Sequence, residues 1–228
     1  MNLLALDTSS EFLSLALQIG DKTYVHYQHA GQAASQLVLP QIQALLDSAN
    51  IKLTDLDGIA FGAGPGAFTG VRVACGVAQG LGFGAGIPVV GVNTLQALAQ
   101  ASGQAGVIAC LDARMGEIYH AVFERKNGEW IEFSKTIVCK PEASPVLEGM
   151  WNGVGSGWAV YGEVLSTIYA KNLNQVLPNV TPMAEAILQL ATPTFAAGKA
   201  KPASEAAPIY IRNRVALTTL ERSEGLRL

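Results

Sequence analysis

GAGPGAFTGVRVACGVAQGLGFGAGIPVVG, residues 62–91, is the stretch from which the architecture of the chain can be inferred. It has the form of a phosphate-binding loop that leads into a helix. It contains no lysine and no G-K-[S/T] ending, which excludes a P-loop. No Asp or Glu follows about 20 residues later, as a dinucleotide-binding fingerprint requires. The abundance of glycine therefore indicates a purpose other than ordinary nucleotide chemistry.

The middle of this stretch predicts a helix over residues 70–83, with Thr69 as its N-cap. Glycines recur on it every four residues and therefore lie on one face: Gly76, Gly80 and Gly84. Val73, Val77 and Leu81 follow the same spacing on a neighbouring face. Each glycine inside a helix costs roughly 1 kcal/mol relative to alanine. Such a helix is expected where another backbone approaches closely, either from within the chain or from another protein.

The composition indicates a globular protein with an apolar surface. The chain has 228 residues, enough for one large domain or two small ones. Charged residues make up 14%, against about 25% in a typical soluble protein, so an apolar association surface is a hypothesis. The formal net charge is −3 and no basic stripe occurs, which argues against independent tight binding to nucleic acid.

The cysteines and histidines indicate neither a disulfide framework nor a metal site. Cys75, Cys110 and Cys139 are far apart and form no C-x-x-C motif. The histidines, His26, His29 and His120, lack the spacing of a ligand set, and no G-x-S-x-G motif supports a serine hydrolase.

The uncharged residues 73–92 raise the question of a membrane span, but six glycines, Gln79 and Pro88 divide them into helix, turn and strand. The N-terminal residues, MNLLALDTSS, carry no positively charged region, so no signal peptide is expected. We therefore expect a cytoplasmic protein without a membrane anchor.

The first hundred residues predict a mixed sheet covered by helices. Three antiparallel strands come first, over residues 3–6, 13–19 and 23–28, followed by a helix over residues 35–48. Next come a strand at 58–61, the glycine-rich helix, a strand at 88–92 and a helix at 94–101.

The pattern then restarts, which suggests two related lobes. Asp7 follows the first strand, and Asp112 stands at the corresponding bend about 105 residues later. We predict lobes at residues 1–103 and 104–209, with a C-terminal helix within residues 210–228, over about 215–222, that packs back on the first lobe. In the second lobe we expect strands over residues 118–123, 129–134 and 159–161, a loop over 141–157, a helix over 182–191 and irregular chain over 192–207.

Asp7, Thr8 and Ser9, together with Asp112, are candidates for a degenerate nucleotide pocket. A carboxylate could hold the waters of a magnesium ion while hydroxyl groups contact phosphate oxygens. The same composition is also that of an ordinary turn.

Two further segments carry weaker signals. The helix at residues 35–48 contains one charge, Asp47, and is either partly covered by the chain or a second face of a protein interface. Arg212 and Arg214 form the densest basic spot, for which we expect a solvated tail rather than a nucleic-acid site.

Four segments together resemble the bacterial TsaB family, also called YeaZ. They are LALDTSS at residues 4–10, DGIAFGAGPGAFTGVRVACGVAQGL at 57–81, LDARMGEIYHAVF at 111–123 and PIYIRNRVA at 208–216. The resemblance implies an α/β fold of the actin/Hsp70/sugar-kinase (ASKHA) type, with two lobes that are each a mixed sheet flanked by helices. It also implies a role in making N6-threonylcarbamoyladenosine (t6A) in tRNA.

In that family the catalytic partner is a larger paralogue, TsaD, whose metal site uses an H-x-x-x-H motif shortly after the glycine-rich helix. The matching positions here are Thr94 and Leu98. A hydroxyl and an isobutyl group cannot replace two imidazoles on a divalent metal. The chain therefore resembles the non-catalytic sister, and the resemblance implies that ATP and the metal belong to the partner subunits, which include the ATPase TsaE.

The resemblance also implies that the helices at about 35–48 and 69–84 form the partner interface. The residues expected there are Leu37, Leu45, Val73, Gly76, Val77, Gly80 and Gly84. We expect a heterodimer with TsaD, a homodimer through the same face when the chain is alone, and contact with tRNA only through the complex.

Functions from other classes remain possible at this point. The chain could be a small ATP-dependent phosphotransferase that uses Asp7 and Asp112, or a degenerate metallopeptidase. A direct tRNA binder is disfavoured by the acidic charge balance.

Overall fold

Two five-stranded sheets organise residues 1–212, the part of the chain that the computed structural model describes. The first half of the chain forms β1 (Asn2–Asp7), β2 (Phe12–Ile19), β3 (Lys22–His29), α1 (Ala34–Ala49), β4 (Gly58–Gly64), α2 (Phe68–Ala85), β5 (Val89–Asn93) and α3 (Thr94–Ala101). The second half forms β6 (Gly106–Arg114), β7 (Glu117–Lys126), β8 (Glu129–Cys139), β9 (Trp151–Val154), α4 (Ser156–Ile168), β10 (Leu173–Leu177) and α5 (Ala184–Ala196).

The two sheets have the same topology. The first has the strand order β3-β2-β1-β4-β5, and the second has the order β8-β7-β6-β9-β10. In each, the first three strands are antiparallel and the last two are parallel to the first strand of the lobe. The predicted α/β fold, with two lobes that are each a mixed sheet flanked by helices, is confirmed.

Strand β1 lies at the centre of its sheet because it is apolar on both faces. Leu4 and Leu6 pack on the side of α1 and α2. Leu3 and Ala5 pack on the opposite side against α5. The first sheet is therefore buried between two helical layers, and its loops are held on a rigid frame.

Helix α5, the last within residues 1–212, belongs to the first lobe, although its sequence follows the second. Ile187 and Ala191 of α5 pack against β1 and β4. Ala203 packs beside α2, and Lys201 pairs with Val89 of β5. Residues 184–209 thus cover the first sheet, whereas the predicted boundary assigned them to the second lobe. The predicted C-terminal helix at about 215–222 lies outside the described residues.

Several predicted elements differ from the structure. Helix α2 begins at Phe68 with Ala67 as N-cap and no side-chain cap, so the prediction of Thr69 as N-cap is wrong. The predicted strand at residues 159–161 lies within α4, which is kinked at Tyr161. The preceding Trp158 is buried and donates from Nε1 to the Ile108 carbonyl at 3.0 Å. The predicted loop at 141–157 contains β9, and β10 was not predicted. Helix α5 continues past residue 191 to Ala196.

No helix within residues 1–212 is both long enough and apolar enough to cross a membrane.

Candidate functional site

Asp7 is buried at the end of β1, where the chain bends toward β2. Its Oδ1 accepts hydrogen bonds from the backbone N–H of Ser9 at 3.0 Å and from the Ser9 hydroxyl at 2.9 Å. Its Oδ2 has no hydrogen-bond partner among residues 1–212. Burial raises the pKa of Asp7 to about 6, and the two hydrogen bonds from Ser9 oppose this shift.

The glycine loop before α2 packs directly on this bend. The Ala67 N–H donates to the Ser9 carbonyl at 2.7 Å, and the Thr8 hydroxyl donates to the Gly70 carbonyl at 2.6 Å. A Cβ at Gly66 would lie 2.6 Å from the Ser9 carbonyl oxygen, and one at Gly70 would overlap the Thr8 carbonyl. Gly66 and Gly70 are therefore explained by close approach of two backbones within the lobe.

The four candidates for a nucleotide pocket already have protein neighbours. Asp7, Thr8 and Ser9 are buried under the glycine loop. Asp112, at the equivalent bend of the second lobe, accepts a hydrogen bond from the Arg114 N–H at 2.9 Å. Its other oxygen pairs with the Arg114 guanidinium at 3.0 Å.

The two positions that the resemblance matches to the metal-binding motif of TsaD lie in packed core. Thr94 begins α3 and accepts a hydrogen bond on Oγ1 from the Gly64 N–H at 3.0 Å. Leu98 packs against β6 and β7 of the second lobe. A hydroxyl already bonded to backbone and an isobutyl group in the core do not fit a divalent metal. Within residues 1–212 no three His, Cys, Asp or Glu side chains are grouped as metal ligands.

The three histidines are dispersed. His120 is buried in the second lobe, where its Nε2 lies 3.0 Å from the Tyr169 hydroxyl, and burial lowers its pKa to about 4. His29 lies beside Glu11 at 3.4 Å on the surface. His26 lies on β3 with its Nε2 buried and unpaired within residues 1–212.

The outer face of α2 is bare. Three exposed glycines lie on it at four-residue spacing: Gly76, Gly80 and Gly84. A Cβ added to any of them would have no atom of residues 1–212 within 4 Å, apart from the adjacent backbone of α2 itself. The opposite face packs on the sheet, and there Gly82 meets Val89 and Ala203 closely. The sequence left open whether these glycines contact another part of the chain or another protein. Within the described residues, the three outer glycines do not serve an internal contact.

Apolar side chains flank the bare glycines, and we call this exposed face of α2 the glycine ridge, formed by Phe68, Arg72, Gly76, Gly80, Phe83 and Gly84. Phe83 is 79% exposed, and Phe68 is 46% exposed. Arg72 is the one charge on the helix, and its guanidinium lies 3.2 Å from the centre of the Phe68 ring. An exposed helix face that carries large apolar side chains at both ends is a candidate protein interface.

The other predicted interface residues lie at the margin of the ridge or inside the core. Leu37 of α1 and Val73 and Val77 of α2 are partly buried and pack against the first-lobe core. Leu45 is only 8% exposed and lies in that core with Ile42, so it is not available on the surface. Helix α1 packs against β2, β3 and α2.

Sequence reasoning missed Phe68 and Tyr210 and assigned Arg212 wrongly. The Nε of Arg72 donates to the Tyr210 hydroxyl at 2.9 Å. Arg212 is not solvated, because its side chain is 14% exposed and pairs with Glu117. The spacing of Phe68 and Arg72, four residues apart on one helix, was the available signal. Arg214 lies outside the described residues.

Comparisons with known proteins agree on one family. A family model described as TsaD, tRNA N6-adenosine threonylcarbamoyltransferase, matches residues 24–209. The chain is 38% identical to a tRNA threonylcarbamoyladenosine biosynthesis protein TsaB of Escherichia coli, over 98% of this chain and 100% of that protein. It is also 38% identical to TsaB of Haemophilus influenzae, over 94% and 95% of the two chains. The solved structure of YeaZ from Pseudomonas aeruginosa superposes with a TM-score of 0.81 at 37% identity, over 92% of this chain and 99% of that one.

Proposed function

The chain belongs to the TsaB (YeaZ) family, and from this premise we propose that it is a non-catalytic subunit of the complex that makes t6A in tRNA. In this role it binds the TsaD transferase and stabilises it in an active state. The relatives carry the name of t6A biosynthesis proteins, and this supports the pathway.

The glycine ridge is the observation that carries the proposed mechanism. Three glycines within one helix weaken it by about 2–3 kcal/mol relative to alanine, and no contact within residues 1–212 compensates for them at this face. A partner helix that packs on Gly76 and Gly80 can approach the α2 backbone closely. If about 400 Å² of apolar surface is buried, the gross contribution is roughly 10 kcal/mol before the costs of association.

The residues at the former metal positions support a non-catalytic role. Thr94 and Leu98 are fully buried, and Leu98 packs in the core that joins the lobes. We propose that this chain binds no cofactor tightly, and that ATP and a divalent metal act at the partner subunits, TsaD and the ATPase TsaE.

The same ridge explains the expected assembly states. A self-complementary apolar face forms a twofold symmetric homodimer when no partner is present. The paralogue then competes with the second copy for one surface. We further propose that tRNA reaches this chain only through the complex and that the complex acts in the cytoplasm. The phosphotransferase and metallopeptidase alternatives are not favoured, because the full-length relatives are named for t6A biosynthesis.

A substitution in the middle of the ridge tests the interface. Gly80→Arg places a long charged side chain where the partner helix would lie, and we expect the affinity for the TsaD paralogue to fall at least about 30-fold, the size of a hot-spot loss. The measurement is isothermal titration calorimetry with the purified paralogue, with size-exclusion chromatography of each variant alone to follow the homodimer.

Gly162→Arg is the matched control, because Gly162 lies on α4 of the second lobe and also has open space around it. It should bind normally. Threonylcarbamoyl transfer to tRNA by the reconstituted complex should fall only with Gly80→Arg. A Gly80→Arg protein that binds and supports transfer like the wild type would contradict the proposed interface. Transfer by the isolated chain would contradict the non-catalytic role.

A further inference from the structure

The segment at residues 206–212, which we call the strap, crosses from the first lobe to the second. It follows the short turn Ala203–Glu205, which packs beside α2. The Ile209 N–H donates to the Ala63 carbonyl of β4 at 2.7 Å, which fixes the middle of the strap to the first sheet. The strap contains no regular secondary structure, so its position depends on a few specific contacts.

Arg212 attaches the far end of the strap to the second lobe. Its guanidinium donates to Glu117 at 2.5 Å and to the Ala113 carbonyl at 3.1 Å. Both acceptors lie on the β6–β7 hairpin, and the Met115 sulfur is 3.6 Å from the same guanidinium. A mostly buried charge-assisted pair is stronger than a surface ion pair. One side chain thus ties the strap to the hairpin that begins the second sheet.

Tyr210 attaches the strap to the glycine ridge. The Tyr210 hydroxyl accepts from Arg72, and the Arg72 guanidinium lies on the Phe68 ring. Phe68, Arg72, Gly76, Gly80 and Gly84 follow one another at four-residue spacing, so this cluster continues the row of bare glycines. The conformation of the charged end of the ridge therefore depends on where the strap places Tyr210.

Between the strap, the glycine loop and Tyr119 of the second lobe, the structure leaves a cavity of only about 30 Å³. The strap, the start of α2 and the second lobe therefore meet around one small cavity, which Arg212 and Tyr210 help to line.

We propose that Arg212 is a positioning residue for the partner interface. It clamps the strap to the second lobe, and the strap in turn holds Tyr210, Arg72 and Phe68 in the arrangement that the paralogue binds. The second lobe thereby contributes to an interface centred on the glycine ridge of the first lobe. This inference rests on the proposed function, which it deepens by naming a residue outside the glycine ridge that sets partner affinity.

The experiment compares Arg212→Ala and Arg212→Lys with Arg114→Ala. Arg114 is the matched control, because it lies on the same hairpin but is 87% exposed and contacts Asp112 rather than the strap. Hydrogen–deuterium exchange of each isolated protein follows the strap, and calorimetry with the purified TsaD paralogue gives the affinity. Circular dichroism and the thermal midpoint establish that each variant is folded.

With Arg212→Ala we expect exchange at the Ile209 amide to accelerate about tenfold, since a charge-assisted contact is lost. The affinity should fall about 5-fold or more, the lower end of coupling between separate sites. Arg212→Lys should lie between these values and the wild type, because lysine keeps the charge but not the planar fork. Arg114→Ala should change neither quantity.

Two results would overturn the inference, and they differ from failure of the proposed function. Unchanged exchange in Arg212→Ala would show that the residue does not hold the strap. Faster exchange with unchanged affinity would show that the strap does not position the interface. If the wild-type chain itself does not bind the paralogue, the proposed function fails, and the inference fails with it.

Discussion

The two lobes repeat one backbone plan but differ in the outer face of the helix that follows the fourth strand. In the first lobe, Gly66 and Gly70 let the start of α2 approach the Asp7 bend. In the second, Gly155 and Gly157 let the start of α4 approach Cys110, two residues before the Asp112 bend. Close approach at the start of the helix is therefore common to both lobes. The row of exposed glycines further along occurs on α2, whereas α4 has a single glycine with open space, Gly162.

This difference distinguishes two structural roles of glycine that cannot be told apart from the sequence alone. Glycines at the start of each helix are required by the fold of the lobe. The glycines along the outside of α2 weaken a helix without serving any contact within residues 1–212. A cost carried by one lobe and not by its repeat indicates a function specific to that lobe, and we propose that this function is partner docking.

The largest effect on stability is expected from adding a methyl group at the start of α2 or α4, where a glycine of each helix contacts the neighbouring strand end closely. Gly70→Ala would overlap the Thr8 carbonyl, and because that atom is backbone it cannot rotate away. We expect a loss of about 3 kcal/mol or more in the free energy of unfolding. Gly157→Ala meets the Cys110 Cβ at 2.7 Å and should cost about 1–3 kcal/mol.

Urea denaturation of the two variants, with the slope checked against the wild type, measures both losses. If both variants were as stable as the wild type, close approach would not explain these glycines, and the comparison of the lobes would lose its basis.

The lobes also carry buried ionisable groups with opposite effects on stability. Asp7 has a folded-state pKa of about 6 against an ordinary value of 3.8, so between these pH values the folded protein binds a proton that the unfolded chain has released. Its contribution to stability is therefore present below about pH 4 and is lost as the pH rises through about 6. His120 has a pKa of about 4 against an ordinary 6.5, so its contribution is present above about pH 6.5 and is lost as the pH falls through about 4.

Single substitutions separate the two contributions. Relative to the wild type, Asp7→Asn should gain up to about 3 kcal/mol as the pH rises from 4 to 6. His120→Gln should change in the opposite direction over the same range. Chemical denaturation at several pH values gives these differences, and other titrating groups cancel in the comparison. Parallel pH profiles for the wild type and Asp7→Asn would contradict the account of the buried carboxyl group.

The two-lobed plan could be predicted because its signals are local. Apolar runs, turn residues and the second Asp-bearing bend identify the hairpins without knowledge of their surroundings. Helix α4 could not be identified in this way, since Val160 and Tyr161 are types that favour strands. The helix nevertheless forms, with a kink at Tyr161 and with Trp158 buried in the core. The candidate site, too, could be predicted only in part. Spacing predicted that the three glycines share a face, but only packing shows that this face is exposed, that Leu45 is buried and that Arg212 joins the lobes.

The smallest effect is expected from Gly80→Ala, a substitution that tests whether the exposed glycines of α2 serve docking rather than folding. Gly80→Ala meets no atom of residues 1–212 within 4 Å, so the helix should gain up to about 1 kcal/mol of stability from the better propensity of alanine. Gly162→Ala on α4 should be neutral to stabilising for the same reason.

The two variants should differ in binding, because a methyl group on the ridge keeps a partner backbone at a greater distance while one on α4 does not. Thermal unfolding and calorimetry with the paralogue measure the two quantities. A Gly80→Ala protein that is less stable than the wild type would indicate that the ridge serves the fold, and one that gains stability and binds more tightly would show that close backbone approach is not what the partner requires.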